Sequence, residues 1–331
     1  MKTGRLARPV FDKKDKRTKN KELTLEYTTV RRARMKKKMS IIIAGILFLA
    51  GLSLLLYPLV ANQWNTYRQS RLISEYETTV STENSEGAID YEKEWEKANA
   101  YNASLLPSIL PDSFAIAAAS DEPGDEYMSC LNILNDGMMG YVEVPKINIK
   151  IPIFHTTSEE VLNKGAGHLE GSSLPVGGEN THAVISAHRG LPSASLFTDL
   201  DQLEKGDHFL ISVLDQKLCY EVDQIRTVEP EDTGDLAVEP GEDLVTLLTC
   251  TPYGVNTQRL LVRGHRVPYE EEVVEKEEKE SPMSLYTNYL LWVVIGLAVT
   301  AVLIFGLWKY DKHYKRKRKE KQEQVSERKE E

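Results

Sequence analysis

The chain has 331 residues, 41% of them hydrophobic, and a formal net charge of -9. Its three cysteines are too few and too scattered for a disulfide framework or a cysteine-based metal site. Because the sequence also lacks a glycine-rich phosphate loop, paired metal ligands and a nucleic-acid motif, we predict no metal, no cofactor and no nucleic-acid partner.

Residues 1–40 form a basic tail, with 15 Lys and Arg against 4 Asp and Glu and almost no apolar periodicity. This composition predicts a solvated, largely disordered segment. Residues 41–61 then run for 21 positions without a charge. That length matches the ~20 residues that a membrane-spanning helix needs and exceeds the hydrophobic core of a signal peptide. We predict an uncleaved transmembrane helix here.

Residues 62–138 are predicted to form an extracellular stem and loop. Helical spacing covers Thr66–Tyr76 and Ile89–Leu106, and we expect this helical stem to lift the rest of the chain off the membrane. Prolines and a run of alanines then indicate a loop over Leu106–Gly124.

Residues 139–267 show short β patterns separated by glycine and proline turns, which is typical of a barrel or a sandwich. A unit of this length can bury a core on its own. The predicted strands are Tyr141–Val144, Ile149–Phe154, Ala183–Ala187, Phe209–Val213, Leu218–Val228, Val245–Thr249 and Leu260–Val267.

Cys250 stands where one predicted strand enters a turn, and Arg259 stands near the start of the returning strand. A guanidinium close to a cysteine favours the thiolate and can also donate hydrogen bonds to an oxyanion. On spacing alone, however, an ordinary core cysteine and a surface arginine fit the pattern better.

His188 is the best candidate for a base beside a nucleophilic cysteine, because it ends an apolar run just before a loop. An ordinary strand-end histidine fits the same pattern. The remaining histidines stand in polar or turn-like contexts and are predicted to lie at the surface: His155, His168, His182, His208, His265 and His313.

Residues 268–288 are rich in Glu and Lys and are predicted to be an exposed acidic linker. A second transmembrane helix is predicted at residues 289–308, where interfacial aromatic residues flank an apolar run. The final tail, residues 309–331, holds 10 Lys and Arg against 6 Asp and Glu. Since positive charge flanks both spans on the side of the termini, we predict a two-pass protein of the cell membrane, with cytoplasmic termini and an extracellular central region.

Thr246–Cys250 reads Thr-Leu-Leu-Thr-Cys and continues as Thr-Pro-Tyr-Gly towards Arg259. This pattern resembles the Thr-Leu-x-Thr-Cys signature of sortases, the cell-wall transpeptidases of Gram-positive bacteria. Together with His188-Arg189-Gly190 and the segment Gly167–Pro175, it is similar to class C, the pilus-assembling class, over roughly Met139–Val267. The resemblance implies a mainly β protein: a closed eight-stranded barrel with an N-terminal helical stem, flanked by the two transmembrane helices.

The resemblance also implies a role for each candidate residue. Cys250 would be the nucleophile, His188 the general acid and base, and Arg259 the group that stabilises the oxyanion and positions the substrate. Class C sortases carry a lid with an Asp-Pro-aromatic motif, and Asp112-Ser113-Phe114 is the nearest match here. In that lid Asp112 would pair with Arg259 and Phe114 would cover Cys250. The missing proline predicts a weaker or more mobile lid, and a plain loop is the alternative.

The function implied by the resemblance is that of a membrane-anchored cysteine transpeptidase. It would cleave an LPxTG-like sorting signal between Thr and Gly through a thioacyl-enzyme and pass the acyl group to a pilin lysine, thereby polymerising pili. Its partners would be pilin and surface-protein substrates and membrane lipid. Two alternatives remain open: a sortase that anchors surface proteins to peptidoglycan, and a non-catalytic membrane scaffold.

Overall fold

The structure is a computed structural model that describes residues 13–86, 89–105, 110–116, 123–279, 281 and 284–330. Parts of the predicted basic tail, of the loop Leu106–Gly124 and of the acidic linker therefore lie outside the described residues. The chain forms two compact units, Met1–Leu56 and Tyr57–Glu331.

Most helices lie towards the two ends of the chain and the strands lie between them, with one short helix, Glu159–Leu162, between the second and third strands. The helices are α1 (Lys13–Glu86), α2 (Tyr91–Ser104), α3 (Ser113–Ile116), α4 (Asp125–Ser129), α5 (Glu159–Leu162), α6 (Glu271–Lys279) and α7 (Leu285–Glu330). The strands are β1 (Met138–Val144), β2 (Ile149–His155), β3 (Ala166–His168), β4 (Thr181–Ser186), β5 (His208–Val213), β6 (Gln216–Val228), β7 (Asp243–Thr251) and β8 (Gln258–Val267).

Helix α1 begins inside the basic tail, so the prediction of a largely disordered tail was wrong for residues 13–40. The physical reason lies in local propensity. This segment contains no glycine or proline and is rich in Lys, Arg, Leu and Met, which are all good helix formers. A segment without apolar periodicity can therefore still be helical.

Within the described part of the chain, two helical segments are long and apolar enough to cross a membrane: Ile42–Ser81 in α1 and Thr287–Arg318 in α7. They cover the two spans predicted from the sequence, apart from residue 41. Their length and composition indicate that the protein associates with a membrane.

The strands close into a barrel in the order β1-β2-β3-β4-β7-β8-β6-β5, which confirms the predicted eight-stranded fold. Seven strands match predicted positions within a few residues. The prediction missed β3, because three residues are too few to show an alternating pattern. The barrel is filled by buried side chains from every part of the sheet, among them Val142, Ile153, Ile185, Phe209 and Val262.

The stem part of α1 packs along the side of the barrel. Ile73 and Tyr76 are buried against Met138 and Phe154. The Tyr76 hydroxyl donates to the Met139 carbonyl (2.9 Å) and accepts from the backbone N–H of Leu214 (2.8 Å). The stem is therefore helical, as predicted, and it lies beside the barrel and is hydrogen-bonded to it. That it lifts the barrel off the membrane stays a prediction.

Part of the predicted acidic linker forms α6, none of whose residues is buried, in keeping with an exposed segment. The Glu277 carboxylate accepts a hydrogen bond from the His208 backbone N–H (3.1 Å) and lies 2.7 Å from its Nδ1. This contact fastens α6 to the first residue of β5.

Three histidines predicted to lie at the surface are in fact buried: His155, His168 and His182. Their ring nitrogens lie within hydrogen-bond distance of acceptors inside the fold. His155 lies 2.9 Å from two backbone carbonyls, and His182 lies between the Ala237 carbonyl (2.8 Å) and the Thr246 hydroxyl (2.7 Å). A polar sequence context cannot reveal partners that only the fold brings near.

Gly140 provides a test of the barrel packing. A Cβ atom at this position would lie 2.2 Å from the Ser212 carbonyl oxygen on the neighbouring strand β5. We expect Gly140→Ala to lower the free energy of unfolding by about 1–3 kcal/mol or more, because the strand must shift. Thermal unfolding of the full chain in detergent measures the effect. Gly234→Ala is the matched control, since its nearest neighbour would be 3.6 Å away; equal stability of the two variants would contradict the packing described.

Candidate active site

Cys250 and Arg259 are paired directly across the hairpin of β7 and β8. Directly opposite residues in an antiparallel pair project from the same face, with Cβ atoms about 4.5–5.5 Å apart. The apolar residues of β7 are buried in the barrel, and Cys250 near the end of the strand is only 7% exposed. The predicted cysteine and arginine are thus brought together by strand register.

His188 reaches the same place from β4, which runs parallel to β7. The register pairs Ser186 with Leu248, and the Ala187 backbone N–H extends the ladder to the Leu248 carbonyl (3.1 Å). The Thr249 hydroxyl donates to the Ala187 carbonyl (2.7 Å) and fixes this end of β4. His188 follows directly, two residues beyond the end of β4, on the side of β7 that carries Cys250 near its own end.

The described lid segment, residues 110–116, contacts two of these residues. Arg259 donates from Nε to Asp112 Oδ1 and from Nη2 to Asp112 Oδ2, each at 2.7 Å. Both side chains are nearly buried, at 11% and 9% exposure. The Phe114 ring lies 5.5 Å from the His188 ring and 5.2 Å from the guanidinium carbon of Arg259. The predicted pairing of Asp112 with the arginine is therefore present in the structure, whereas coverage of Cys250 by Phe114 stays a prediction.

Ser113 stands where the class C pattern has proline, and it is buried. The Ser186 hydroxyl donates to Ser113 Oγ (2.8 Å), and the Thr157 hydroxyl donates to the Ser113 carbonyl (2.9 Å). Hydrogen bonds of this kind contribute about 1 kcal/mol each. Because a proline side chain has no hydroxyl, the bond to Ser186 belongs to this sequence and offsets part of the stiffness that proline would supply.

The closed lid favours the neutral forms of the thiol and the imidazole. Burial raises the pKa of Cys250, the Arg259 charge opposes that rise, and the Asp112 charge adds to it. Burial lowers the pKa of His188, with a smaller opposing effect from Glu159. The hydrogen bond that Arg259 donates to Asp112 raises the pKa of Arg259. Both shifts favour the neutral thiol and the neutral imidazole over the thiolate and imidazolium pair.

Arg189 is a buried residue of this region that the sequence did not single out. Its Nε donates to the Thr198 carbonyl (3.1 Å), its Nη1 donates to the Thr251 hydroxyl (3.0 Å), and its Nη2 pairs with Asp201. Arg189, which follows His188, thus bonds directly to Thr251, which follows Cys250. Its only signal in the sequence was its place in the His-Arg-Gly segment.

The other two cysteines, Cys130 and Cys219, are buried and free. Burial raises the pKa of both thiols, to about 11 for Cys219. Among the residues that the structure describes, no group of three or more His, Cys, Asp or Glu side chains could hold a metal ion.

Comparison with known proteins gives consistent matches. The family model described as "Sortase domain" matches residues 142–267. Sortase D of Bacillus subtilis is 32% identical over 131 residues, and Sortase A of Streptococcus agalactiae is 27% identical over 176 residues. These alignments cover 39% and 52% of this chain, and the chain spans 63% and 66% of those relatives, slightly less than two thirds.

Solved structures match at higher identity. Sortase C of Streptococcus pneumoniae, described in terms of its catalysis and pilin substrate specificity, is 50% identical with a TM-score of 0.54. Sortase C1 of Streptococcus agalactiae is 49% identical with a TM-score of 0.53. Each match covers 60% of this chain, and it covers 97% and 100% of the respective solved chains.

The charge of Asp112 generates a prediction about the thiol. Removing an anion near a thiol favours the thiolate, so Asp112→Asn should lower the pKa of Cys250. The measurement is the pH midpoint of alkylation by iodoacetamide, in a Cys130→Ala/Cys219→Ala background. The midpoint reports the pKa, whereas easier access through an opened lid changes only the plateau rate.

Asp235→Asn is the matched control for this experiment, because Asp235 pairs with Arg226 at 2.7 Å on the exposed side of the barrel. Its midpoint should equal that of the parent. An Asp112→Asn midpoint that is unchanged or higher would contradict the electrostatic account of the lid.

Proposed function

This chain belongs to the sortase family, and from that premise we propose that it is a membrane-anchored cysteine transpeptidase of the pilus-assembling class C. The observation that carries the proposal is the pairing of Cys250 with Arg259 across β7 and β8, with His188 two residues beyond the end of the neighbouring strand β4. A thiol, a fork of hydrogen-bond donors and an imidazole are the groups that acyl transfer through a thioester requires.

In the first half-reaction, the Cys250 thiolate attacks the carbonyl carbon of the Thr–Gly bond in an LPxTG-like sorting signal. Arg259 donates to the oxyanion that forms on the carbonyl oxygen. The C–N bond then breaks as the His188 imidazolium protonates the leaving glycine amine. The products are a thioacyl-enzyme and a free amino-terminal glycine.

In the second half-reaction, a lysine amine of a pilin attacks the thioester carbonyl. Neutral His188 takes the proton that the amine loses, and Cys250 leaves as a thiolate. The result is an isopeptide bond between the threonine carbonyl and the lysine nitrogen. The enzyme returns to its initial protonation state, so no cofactor is consumed.

The lid supports assignment to the pilus-assembling class. Asp112 presents two carboxylate oxygens to the donors that the mechanism assigns to the substrate carbonyl. The Nη1 group of Arg259 donates to the carbonyls of Asn256 and Gln258. A substrate must therefore displace the lid before Arg259 can act. Such a gate would limit attack by water, which suits an acyl-enzyme that waits for a protein amine.

The membrane arrangement in this proposal follows from charge. Both apolar helices have basic residues on the side of the chain termini, which places the termini in the cytoplasm and the barrel outside. We retain the predicted division into a stem and lid at 62–138, a catalytic barrel at 139–267 and a connecting segment at 268–288.

A sortase that anchors surface proteins to peptidoglycan is the second candidate function. Its basis is that the chain is also similar to sortases outside the C group, Sortase D and Sortase A, at 32% and 27% identity. The sortase C of Streptococcus pneumoniae, which is described in terms of its pilin substrate specificity and is 50% identical, supports the pilin acceptor instead. The same catalytic residues serve both reactions, so only the acceptor distinguishes them.

The acceptor generates the first functional prediction. The full chain in detergent, mixed with a pilin that carries a sorting signal, should produce a covalent ladder on denaturing gels. Mass spectrometry should find threonine joined to a lysine side chain, and Cys250→Ala should form none of these products. Products with a peptidoglycan-type amine and none with pilin lysine would establish the anchoring function instead.

Arg189 generates the second functional prediction, because in this proposal it positions His188 relative to Cys250 without reaching the substrate. Arg189→Met should lower kcat by on the order of tenfold to a hundredfold with little change in KM, since small displacements of reacting groups are costly. Arg189→Lys should restore part of kcat, because it keeps the charge but not the fork of donors.

The matched control is Arg226→Met, which removes a surface ion pair with Asp235 and should leave kcat unchanged. Thermal unfolding of each variant checks that the fold persists. A raised KM with unchanged kcat in Arg189→Met would contradict the positioning role.

A further inference from the structure

The loop that follows His188 is tied to the stem helix. Asn65 Nδ2 donates to the Ser193 carbonyl (2.7 Å), and the Ser195 backbone N–H donates to Asn62 Oδ1 (2.7 Å). At the base of the loop, the Phe197 backbone N–H donates to the His188 carbonyl (3.1 Å). The loop is thus fastened to α1 at its tip and to the active-site strand at its base.

The two asparagines stand where the apolar stretch of α1 ends, since Asn62 directly follows Ala61. The same turns of the helix present Trp64 and Tyr67 to the outside, at 62% and 58% exposure, with ring centroids 6.2 Å apart. Exposed Trp and Tyr at the end of an apolar helix mark the level of the lipid headgroups. Asn62 and Asn65 therefore stand at that level too.

The surface of the loop is uncharged. Residues 191–197 read Leu-Pro-Ser-Ala-Ser-Leu-Phe; Ala194, Leu196 and Phe197 are buried in the barrel core, and Pro192 is exposed. An uncharged loop can approach headgroups of either sign without the cost of desolvating a charge.

The length of the stem helix also shows how far other parts of the barrel lie from the loop. Tyr76, which binds the Leu214 backbone N–H, is 14 residues beyond Asn62. At 1.5 Å per residue this is about 21 Å farther along the helix. The turn between β5 and β6, which is followed by the exposed first residue of β6, Gln216, is therefore at the far end of the stem from the loop.

We propose that the loop at residues 191–197 rests on the lipid headgroups, so that the His188 end of the barrel opens at the membrane surface. The partner is the headgroup layer of a phospholipid bilayer. A substrate peptide then enters the cleft from the side, along that surface. This inference rests on the membrane anchoring in the proposed function and adds the orientation of the catalytic end.

The test measures the depth of three labelled positions in the full chain. Single cysteines replace Gln63, Pro192 and Gln216 in a Cys130→Ala/Cys219→Ala/Cys250→Ala background, and each carries the same fluorophore. The protein is placed in phosphatidylcholine and phosphatidylglycerol vesicles that contain a headgroup nitroxide quencher. Quenching at Pro192 should be similar to quenching at Gln63 and several-fold stronger than at Gln216.

Each other outcome counts against a defined part of the account. If Gln63 is quenched but Pro192 is as weakly quenched as Gln216, the inference is overturned while the membrane anchoring stands. If Gln63 is not quenched, the anchoring fails and the inference fails with it. Because Cys130 and Cys219 are buried, a Cys250→Ala background that retains them should give the same ratios if the cysteine-free chain folds poorly.

A matched pair of variants tests the contacts that hold the loop. Asn62→Ala/Asn65→Ala should reduce quenching at Pro192 and leave Gln63 unchanged, because the loop is released while the helix stays inserted. Thr66→Ala, an exposed change on the same turns of the helix, should alter neither position. Undiminished quenching at Pro192 in the double variant would contradict the proposal that the stem holds the loop at the headgroups.

Discussion

The register of β7 against β8 is the constraint on which the site depends. It pairs Cys250 with Arg259 across the hairpin. A slip of one residue would turn one of the two side chains to the opposite face of the sheet. The buried apolar residues of β7 prevent such a slip, because they would lose the barrel core. The packing that stabilises the barrel therefore also fixes the geometry of the proposed chemistry.

The ion pair between Asp112 and Arg259 controls the electrostatic environment of the Cys250 thiol. With both side chains nearly buried, the pair neutralises the charge that would otherwise favour the Cys250 thiolate. The Phe114 ring meanwhile lies close to the His188 ring and to the Arg259 guanidinium. A peptide carbonyl that binds Arg259 would displace the Asp112 carboxylate. The same step would move Phe114 away from the His188 imidazole. In the proposed mechanism, binding of substrate and activation of the thiol are thus coupled.

Local pattern was sufficient to predict most of the barrel and the segments that carry the candidate site. Alternating apolar residues indicate a strand wherever it is long enough, which β3 is not. The burial of His155 and His182, the contacts of Arg189 and the packing of Tyr76 on the barrel depend on partners far away in sequence. Single-sequence patterns carry no information on such partners. The Asp112 contact was expected only through family resemblance, since a short polar-aromatic segment in a loop has no distinctive pattern.

The central claim is that Cys250 is the residue that becomes acylated. The most direct measurement is mass spectrometry of the full chain after incubation with an LPxTG-like peptide and acid quenching, followed by proteolysis. The account predicts one acyl group ending in threonine, on the fragment that contains Cys250 and sensitive to hydroxylamine as a thioester. An acyl group on the fragments of Cys130 or Cys219, with Cys250 unmodified, would contradict it.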